Sequence, residues 1–104
     1  METMKELVEK SKSVPLLTKE EEHLLLKNRN DPEAKQKLID ANMRFVLRIA
    51  MLFKGKVPMP TLVEAGKKGL IEAIEKFNID GKKRIRFITY AVWWMKAALE
   101  KASS

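Results

Sequence analysis

Apolar residues recur every three or four positions through the middle of this chain, between Leu38 and Phe53. Because an α-helix turns once in about 3.6 residues, this spacing puts the apolar side chains on one face of a long helix. The positions of this stripe are Leu38, Ile39, Ala41, Phe45, Val46, Ile49, Ala50 and Phe53. Alternation of β-branched with polar residues is scarce, and the 104 residues include only four Gly and four Pro. The pattern predicts an all-α fold.

Helix start and stop signals divide the chain into about five helices, which we expect to form one compact helical bundle. Thr18 and Glu21 have the spacing of a capping box, which predicts the start of the second helix. The central helix is predicted to start at Asp31, an N-cap followed by Pro, and Thr61 is predicted to cap the fourth helix. The predicted helices cover residues 3–12, 18–27, 31–55, 61–77 and 87–101.

Two details of the helix packing are predicted from single positions. We expect Leu24 and Leu25 to face the core from the second helix. Gly66 and Gly69 lie inside the fourth helix, where each costs roughly 0.5–1 kcal/mol relative to Ala. Two such costs three residues apart indicate that another helix approaches the backbone closely there.

The net charge of +7 is unevenly distributed along the chain. Residues 1–53 contain ten Lys and Arg against nine Asp and Glu, whereas residues 54–104 contain eleven against five. A basic second half is typical of a surface that binds a polyanion. A charge that only keeps the protein soluble explains the excess equally well, so both interpretations stay open at this point.

Several classes of function are excluded by the residues that the sequence lacks. There is no cysteine, which excludes disulfides and thiolate metal sites and fits a reducing cytoplasm. His23 is the only histidine, and we interpret it as a surface residue, so no metal site, cofactor or enzyme activity is expected. No apolar run approaches the ~18 residues of a membrane span. The last three residues follow a helix without a stop signal, which indicates a chain cut from a longer one.

The last predicted helix contains the only Tyr and the only two Trp of the chain, Tyr90, Trp93 and Trp94. A helical projection places Phe87, Ala91, Trp94, Met95, Ala98 and Leu99 inward. It leaves Tyr90 and Trp93 on an adjoining face. These rings either cap a small core or stack on unpaired bases, and the cations just before them favour stacking. Those cations are Lys82, Lys83, Arg84 and Arg86.

Four segments resemble, in order, the primary-type sigma factors of bacterial RNA polymerase, in the sigma-70 family. The segments are VPLLTKEEE (14–22), KLIDANMRFVLRIA (37–50), GLIEAIEKF (69–77) and RFITYAVWWMKAAL (86–99). The resemblance implies a fold like sigma-factor domain 2, with N-terminal helices in 1–30 and polymerase-binding and minus-ten-binding helices in 31–104. Such a domain docks on the clamp helices of the largest polymerase subunit. It also captures the non-template strand of the minus-ten element of promoter DNA.

The resemblance also implies roles for single residues. Tyr90 matches the ring that stacks on the flipped adenine at the second position of the element, and Trp93 and Trp94 match the pair at the upstream edge of the melted region. The positions around the adenine are Phe77, Asn78, Phe87 and Thr89. The positions near a second pocket, for the last thymine of the element, are Leu16, Glu20 and Asn42. Lys96 and Lys101 match cations on the DNA backbone, and the basic cluster of Lys82, Lys83, Arg84 and Arg86 is expected to act there with them.

The sequence departs from the family pattern at several of these positions. Residues 61–70 replace a usual Asp-Leu-Ile-Gln-Glu-Gly-Asn-Ile-Gly-Leu, which changes the family's polymerase-contacting side chains. The polymerase-binding positions are Thr61, Glu64, Ala65 and Lys67. Ala97 replaces a glutamine that reads the upstream edge, Asn78 replaces an acid, and Glu72 replaces a basic residue. The loop 78–85 is about two residues longer than usual.

Two functions therefore remain open from the sequence. The first is a sigma-factor fragment that holds a melted promoter element, which Tyr90, Trp93, Trp94 and the basic cluster favour. The second is a protein-interaction module that binds the polymerase clamp or an anti-sigma factor and reads DNA differently.

Overall fold

A computed structural model describes residues 3–80 and 85–104 of the chain, and all of its regular structure is helical. The five helices are α1 (Met4–Ser13), α2 (Lys19–Lys27), α3 (Pro32–Met51), α4 (Met59–Lys76) and α5 (Phe87–Ser103). The Cα radius of gyration is 13.6 Å, close to the ~13 Å expected of a compact domain of about 100 residues. The prediction of an all-α fold with about five helices is confirmed.

The core lies between α3, α4 and α5, and α2 adds one large side chain to it. Each helix contributes residues at helical spacing, because only one face of an amphipathic helix turns inward. The largest fully buried side chains are Leu26, Leu38, Val46, Leu62, Leu70, Ile74, Phe87, Met95 and Leu99. The apolar stripe of α3 is confirmed as its inward face, with Phe45 half-buried at its margin. The helix ends at Met51 rather than near residue 55, so Phe53 lies half-buried in the turn that follows it.

The two glycines of α4 lie where other helices approach its backbone closely. A Cβ atom built on Gly69 would lie 2.7 Å from the Trp94 carbonyl oxygen and 2.8 Å from the Met95 Cα, both on the α5 backbone. A Cβ on Gly66 would lie 3.0 Å from the Val46 Cγ1 of α3. The predicted close approach is confirmed, and it fixes α5 directly against α4.

One predicted helix cap is present and another is wrong. The Thr18 hydroxyl accepts from the Glu21 amide at 3.1 Å, and the Thr18 amide donates to the Glu21 carboxylate at 2.9 Å, as a capping box requires. At α4, by contrast, the helix starts at Met59, two residues before Thr61, with Pro58 at the N-cap position. Pro60 lies in the first turn, where its missing N–H costs no hydrogen bond, so the helix starts upstream of the Thr.

The inward face of α2 also differs from the prediction. Leu24 is 60% exposed and Leu25 is only half-buried, whereas Leu26 and Glu22 are buried. Glu22 and Leu26 lie four residues apart and therefore share one face of the helix. Leu24, two residues from each, points away from that face.

The N-terminal helix is held to the core by α3. One Arg44 Nη2 atom lies 2.5 Å from the Val14 carbonyl and 3.4 Å from the Ser11 carbonyl, so it donates to the end of α1. Within the described residues, no helix is long and apolar enough to cross a membrane.

Candidate functional site

Four aromatic rings, one directly after α4 and three on α5, form a continuous cluster. The Phe77 ring lies edge-on to Phe87 and to Tyr90, with centroid distances of 5.5 and 5.3 Å. Tyr90 in turn lies 6.1 Å from Trp94, with the two planes tilted by 58°. Such edge-to-face pairs are the favoured aromatic geometry and are each worth about 0.5–1.5 kcal/mol beyond their buried area. The cluster gives the rings fixed orientations.

Phe77 reaches this cluster because the end of α4 is anchored from a distant part of the chain. The Nη1 atom of Arg29, in the turn after α2, donates to the Ile74 carbonyl at 3.1 Å and to the Phe77 carbonyl at 2.6 Å. A cation at a helix C-terminus is also favourable for the helix dipole. Sequence reasoning did not identify Arg29, since its partners lie 45 and 48 residues away.

The three amphipathic rings of α5 differ in exposure. Trp93 is 78% exposed, whereas Tyr90 and Trp94 are half-buried against the core. The Tyr90 hydroxyl donates a long hydrogen bond of 3.4 Å to the Lys76 carbonyl, and the Lys76 ammonium lies 5.5 Å from the centre of the Trp94 ring. The helical projection left Tyr90 and Trp93 on a face beside the core, either capping it or free to stack. In the structure Tyr90 packs against the core, and of the three rings only Trp93 is largely exposed.

Of the other residues expected around the adenine, Thr89 and Asn78 are exposed and Phe87 is fully buried. Phe87 therefore packs in the core beneath the cluster and contacts only Phe77 among its rings, so it cannot itself contact a base. The Asn78 side-chain oxygen accepts from the Asp80 amide at 3.0 Å, which holds the start of the turn after α4.

The predicted backbone cations fall into two groups. Lys96 and Lys101 are exposed on α5, and Arg86 lies directly before that helix as its N-cap residue. Ala97, expected at the upstream edge, is exposed on the same helix. The predictions for Lys82, Lys83 and Arg84 lie outside the described residues.

Two cavities open beside the N-terminus of α5. The smaller, of about 260 Å³, is lined by Leu16 and Asn42 among others. The larger, of about 860 Å³, is lined by Glu20, Phe77 and Asn78 among others. The structure thus brings Leu16 and Asn42 together, as the resemblance implied, and places Glu20 with the residues around Phe77 instead. Asn42 is buried, and its amide donates to the Leu38 carbonyl at 2.7 Å.

Glu22 and Arg86 line both cavities and form the wall between them. The Arg86 Nε donates to the Glu22 carboxylate at 3.0 Å, and Nη2 lies 3.4 Å from the Leu17 carbonyl. The pair joins α2 to α5 across 64 positions of sequence. Sequence reasoning missed Glu22, which looked like one of three acids at a helix N-terminus.

The expected polymerase-binding positions lie in the first half of α4. Thr61, Glu64 and Lys67 are exposed and Ala65 is half-buried, so at least three of the four side chains are accessible to a partner. No group of three or more His, Cys, Asp or Glu in the described part of the chain could hold a metal ion.

The sequence is 41% identical over 92 residues to RNA polymerase sigma factor SigA of a Bacillus species, an alignment covering 86% of this chain and 24% of that protein. It is 38% identical over 91 residues to sigma factor RpoS of Coxiella burnetii, covering 85% and 25% of the two chains. It is 36% identical over 91 residues to sigma factor RpoH of Zymomonas mobilis, covering 84% and 30%. The chain belongs to the sigma-70 family of RNA polymerase sigma factors.

This sigma-family chain spans about a quarter to three tenths of the length of the curated relatives it matches. No family model matches its sequence. Relatives named SigA, RpoS and RpoH match it at similar identity, so the comparison identifies the family and confirms the predicted one.

Proposed function

We propose that this chain is the part of a sigma factor that recognises the promoter minus-ten element and holds its non-template strand as the duplex opens. The observation that carries the proposal is the exposed Trp93 ring on α5, next to the half-buried rings of Tyr90 and Trp94. Leaving a large apolar ring such as Trp exposed to water is unfavourable, so an exposed Trp often marks a surface that a partner covers. Bases of an open strand are such a partner, because each base offers an apolar face.

The strand would be bound by stacking and by charge together. A duplex hides the faces of its bases, whereas a single strand exposes them, and base–aromatic stacking contributes ~1–3 kcal/mol per base. Exposed cations on the same helix, Lys96 and Lys101, would neutralise phosphates. The basic cluster at Lys82, Lys83 and Arg84 would add to this attraction.

The two cavities beside α5 would take flipped bases. In this proposal the adenine at the second position enters the larger cavity beside Phe77 and Asn78. Tyr90 does not line that cavity, but its ring lies 5.3 Å from the Phe77 ring, and the adenine would stack on it with Thr89 alongside. The last thymine enters the smaller cavity, whose volume of about 260 Å³ is ample for one base. Leu16 and Asn42 would contact that thymine, and Glu20 would act from the neighbouring cavity. Trp93 and Trp94 would cover the upstream edge of the melted region, with Ala97 beside them.

Partners follow from the same proposal. Residues 31–104 would carry the polymerase-binding and DNA-binding helices, and residues 1–30 would support them. RNA polymerase would dock on the exposed face of α4 that carries Thr61, Glu64 and Lys67, with Ala65 at its edge. An anti-sigma factor is a further candidate partner, and the site of action would be the cytoplasm, where polymerase works.

Fluorescence anisotropy with labelled DNA tests this proposal. The probes are a single strand carrying TATAAT, its complementary strand, and the duplex of the two. We expect the 104-residue chain to bind the TATAAT strand more tightly than either of the others. Equal binding of strand and duplex would contradict base capture. Failure to bind any DNA would favour the protein-interaction module instead.

A further inference from the structure

The wall between the two cavities is a single ion pair of unequal exposure. The Glu22 side chain is 10% exposed and the Arg86 side chain 44% exposed, with Glu22 Oε2 and Arg86 Nε at 3.0 Å. A ligand that approaches this wall from solvent therefore meets the cation first. The acid lies behind it and sets its position.

Arg86 retains hydrogen-bond donors that the protein does not use. A guanidinium carries five N–H groups. Glu22 accepts from Nε, and the Leu17 carbonyl lies within 3.4 Å of Nη2. Among residues 3–80 and 85–104, none accepts a hydrogen bond from Nη1. The guanidinium is thus fixed through Nε and Nη2, while Nη1 remains able to donate to a ligand.

We propose that Arg86 binds the phosphodiester backbone of the strand where it passes from one cavity to the other, and that Glu22 is a positioning residue for this arginine. The inference rests on the proposed function, since it needs a strand whose bases enter both cavities. A strand with one base in each cavity must run over the wall between them, and the wall presents Arg86. A guanidinium fork matches two phosphate oxygens, which a flexible ammonium does not. Glu22 and the Leu17 carbonyl keep that fork in place before the strand arrives.

Replacing Glu22 shows whether this acid holds Arg86 in position or only cancels its positive charge. If Glu22 positions Arg86, Glu22→Gln should weaken binding of the TATAAT strand by about ten- to a hundredfold, the loss of one charge-assisted contact. The slope of log affinity against log salt should flatten by about 0.7, one phosphate of a single strand. If Glu22 only cancels the charge of Arg86, the same variant should bind more tightly with a steeper slope, which would overturn the inference.

A matched control removes the same charge from the same helix. Glu21 is exposed on α2 and bonds to Thr18, with no contact to Arg86. We expect Glu21→Gln to change strand affinity by less than about twofold, since an exposed charge away from the strand is largely screened. A lower melting temperature of Glu22→Gln would reduce the folded fraction, but it would not change the salt slope.

Arg86→Lys tests whether the contact lies between two captured bases. This variant keeps the charge and loses the fork, so it should weaken binding of the full strand several-fold. The loss should be smaller on strands made abasic at the second or the last position, because the backbone is then no longer drawn over the wall. An equal loss on all three strands would show a general cation and overturn the inference. A wild-type chain without preference for strand over duplex would overturn the proposed function itself.

Discussion

At the scale of single residues, solvent exposure distinguishes side chains that stabilise the fold from side chains that a ligand can contact. Trp93 and Tyr90 lie three residues apart on α5, yet Trp93 is 78% exposed and Tyr90 packs on Phe77 and Trp94. Substituting the two rings should therefore have different consequences for stability.

Trp93→Ala should weaken strand binding by ~1–3 kcal/mol, the value of one stacked base. Its free energy of unfolding should change by less than ~0.5 kcal/mol, as for other exposed positions. Anisotropy with the TATAAT strand and urea denaturation measure the two quantities. A large loss of stability would mean that Trp93 packs within the fold.

Tyr90→Ala should weaken both binding and folding, because its ring contacts Phe77 and Trp94 as well as the proposed adenine. The binding loss should shrink on a strand that is abasic at the second position, where the ring has no base to stack on. Tyr90→Phe is the control, since it keeps the ring and removes only a 3.4 Å hydrogen bond to the Lys76 carbonyl. If Tyr90→Phe lost as much binding as Tyr90→Ala, the hydroxyl rather than the ring would be the contact.

At the scale of helices, the α4–α5 contact positions the rings and depends on Gly69. A Cβ there would lie 2.7 Å from the Trp94 carbonyl oxygen, and a backbone atom cannot move aside as a side chain can. Gly69→Ala should therefore destabilise the fold by about 1–3 kcal/mol, measured by urea denaturation. Gly66→Ala is the matched control, because its Cβ would meet the Val46 side chain at 3.0 Å. An equal loss in both variants would contradict this account of the contact.

The capping box at the start of α2 makes part of the stability depend on pH. The hydrogen bond from the Thr18 amide, and then that with the Thr18 side chain, lower the pKa of Glu21 from its ordinary value of 4.5. A lowered pKa in the folded state stabilises the protein above pH 4.5, and this contribution is lost as the pH falls through the lowered pKa.

Glu21→Gln should remove that contribution while keeping an oxygen that can accept from the Thr18 amide. The melting temperature should thus fall less steeply below pH 4.5 in the variant than in the wild type. Thermal unfolding followed by circular dichroism from pH 3 to pH 7 measures both slopes. Identical slopes would show that the carboxylate makes no such contribution.

At the scale of the whole molecule, the net positive charge is concentrated in residues 54–104, which also contain the only Tyr and the two Trp of the chain. Replacing Lys82 and Lys83 by Ala should flatten the salt dependence of strand binding by up to ~1.4, at about 0.7 per phosphate. The preference among bases should stay nearly unchanged, because phosphate contacts carry no sequence information. Replacing Lys5 and Lys12, both exposed on α1, removes the same charge as a control. Equal flattening in both variants would indicate that net charge alone attracts the strand.

What the sequence determined by itself is local in the chain. The number of helices, the capping box at Thr18 and the stripe of α3 depend on residues three or four positions apart, which one helical turn brings together. Gly66 and Gly69 were informative for the same reason, since a glycine pair inside a helix is costly without a close neighbour. The four quoted segments also identified the family before any comparison.

The tertiary structure alone decided which of these local elements meet. Glu22 and Arg86 lie 64 positions apart, and Arg29 lies 45 and 48 positions from the carbonyls it holds. No periodicity within a helix encodes such contacts, because they depend on how whole helices pack. Helix packing also decided that Tyr90 is half-buried against the core and that Leu24 faces solvent. The sequence thus predicted the helices and the candidate aromatic and basic residues. Helix packing determined which of those side chains remain accessible to a ligand.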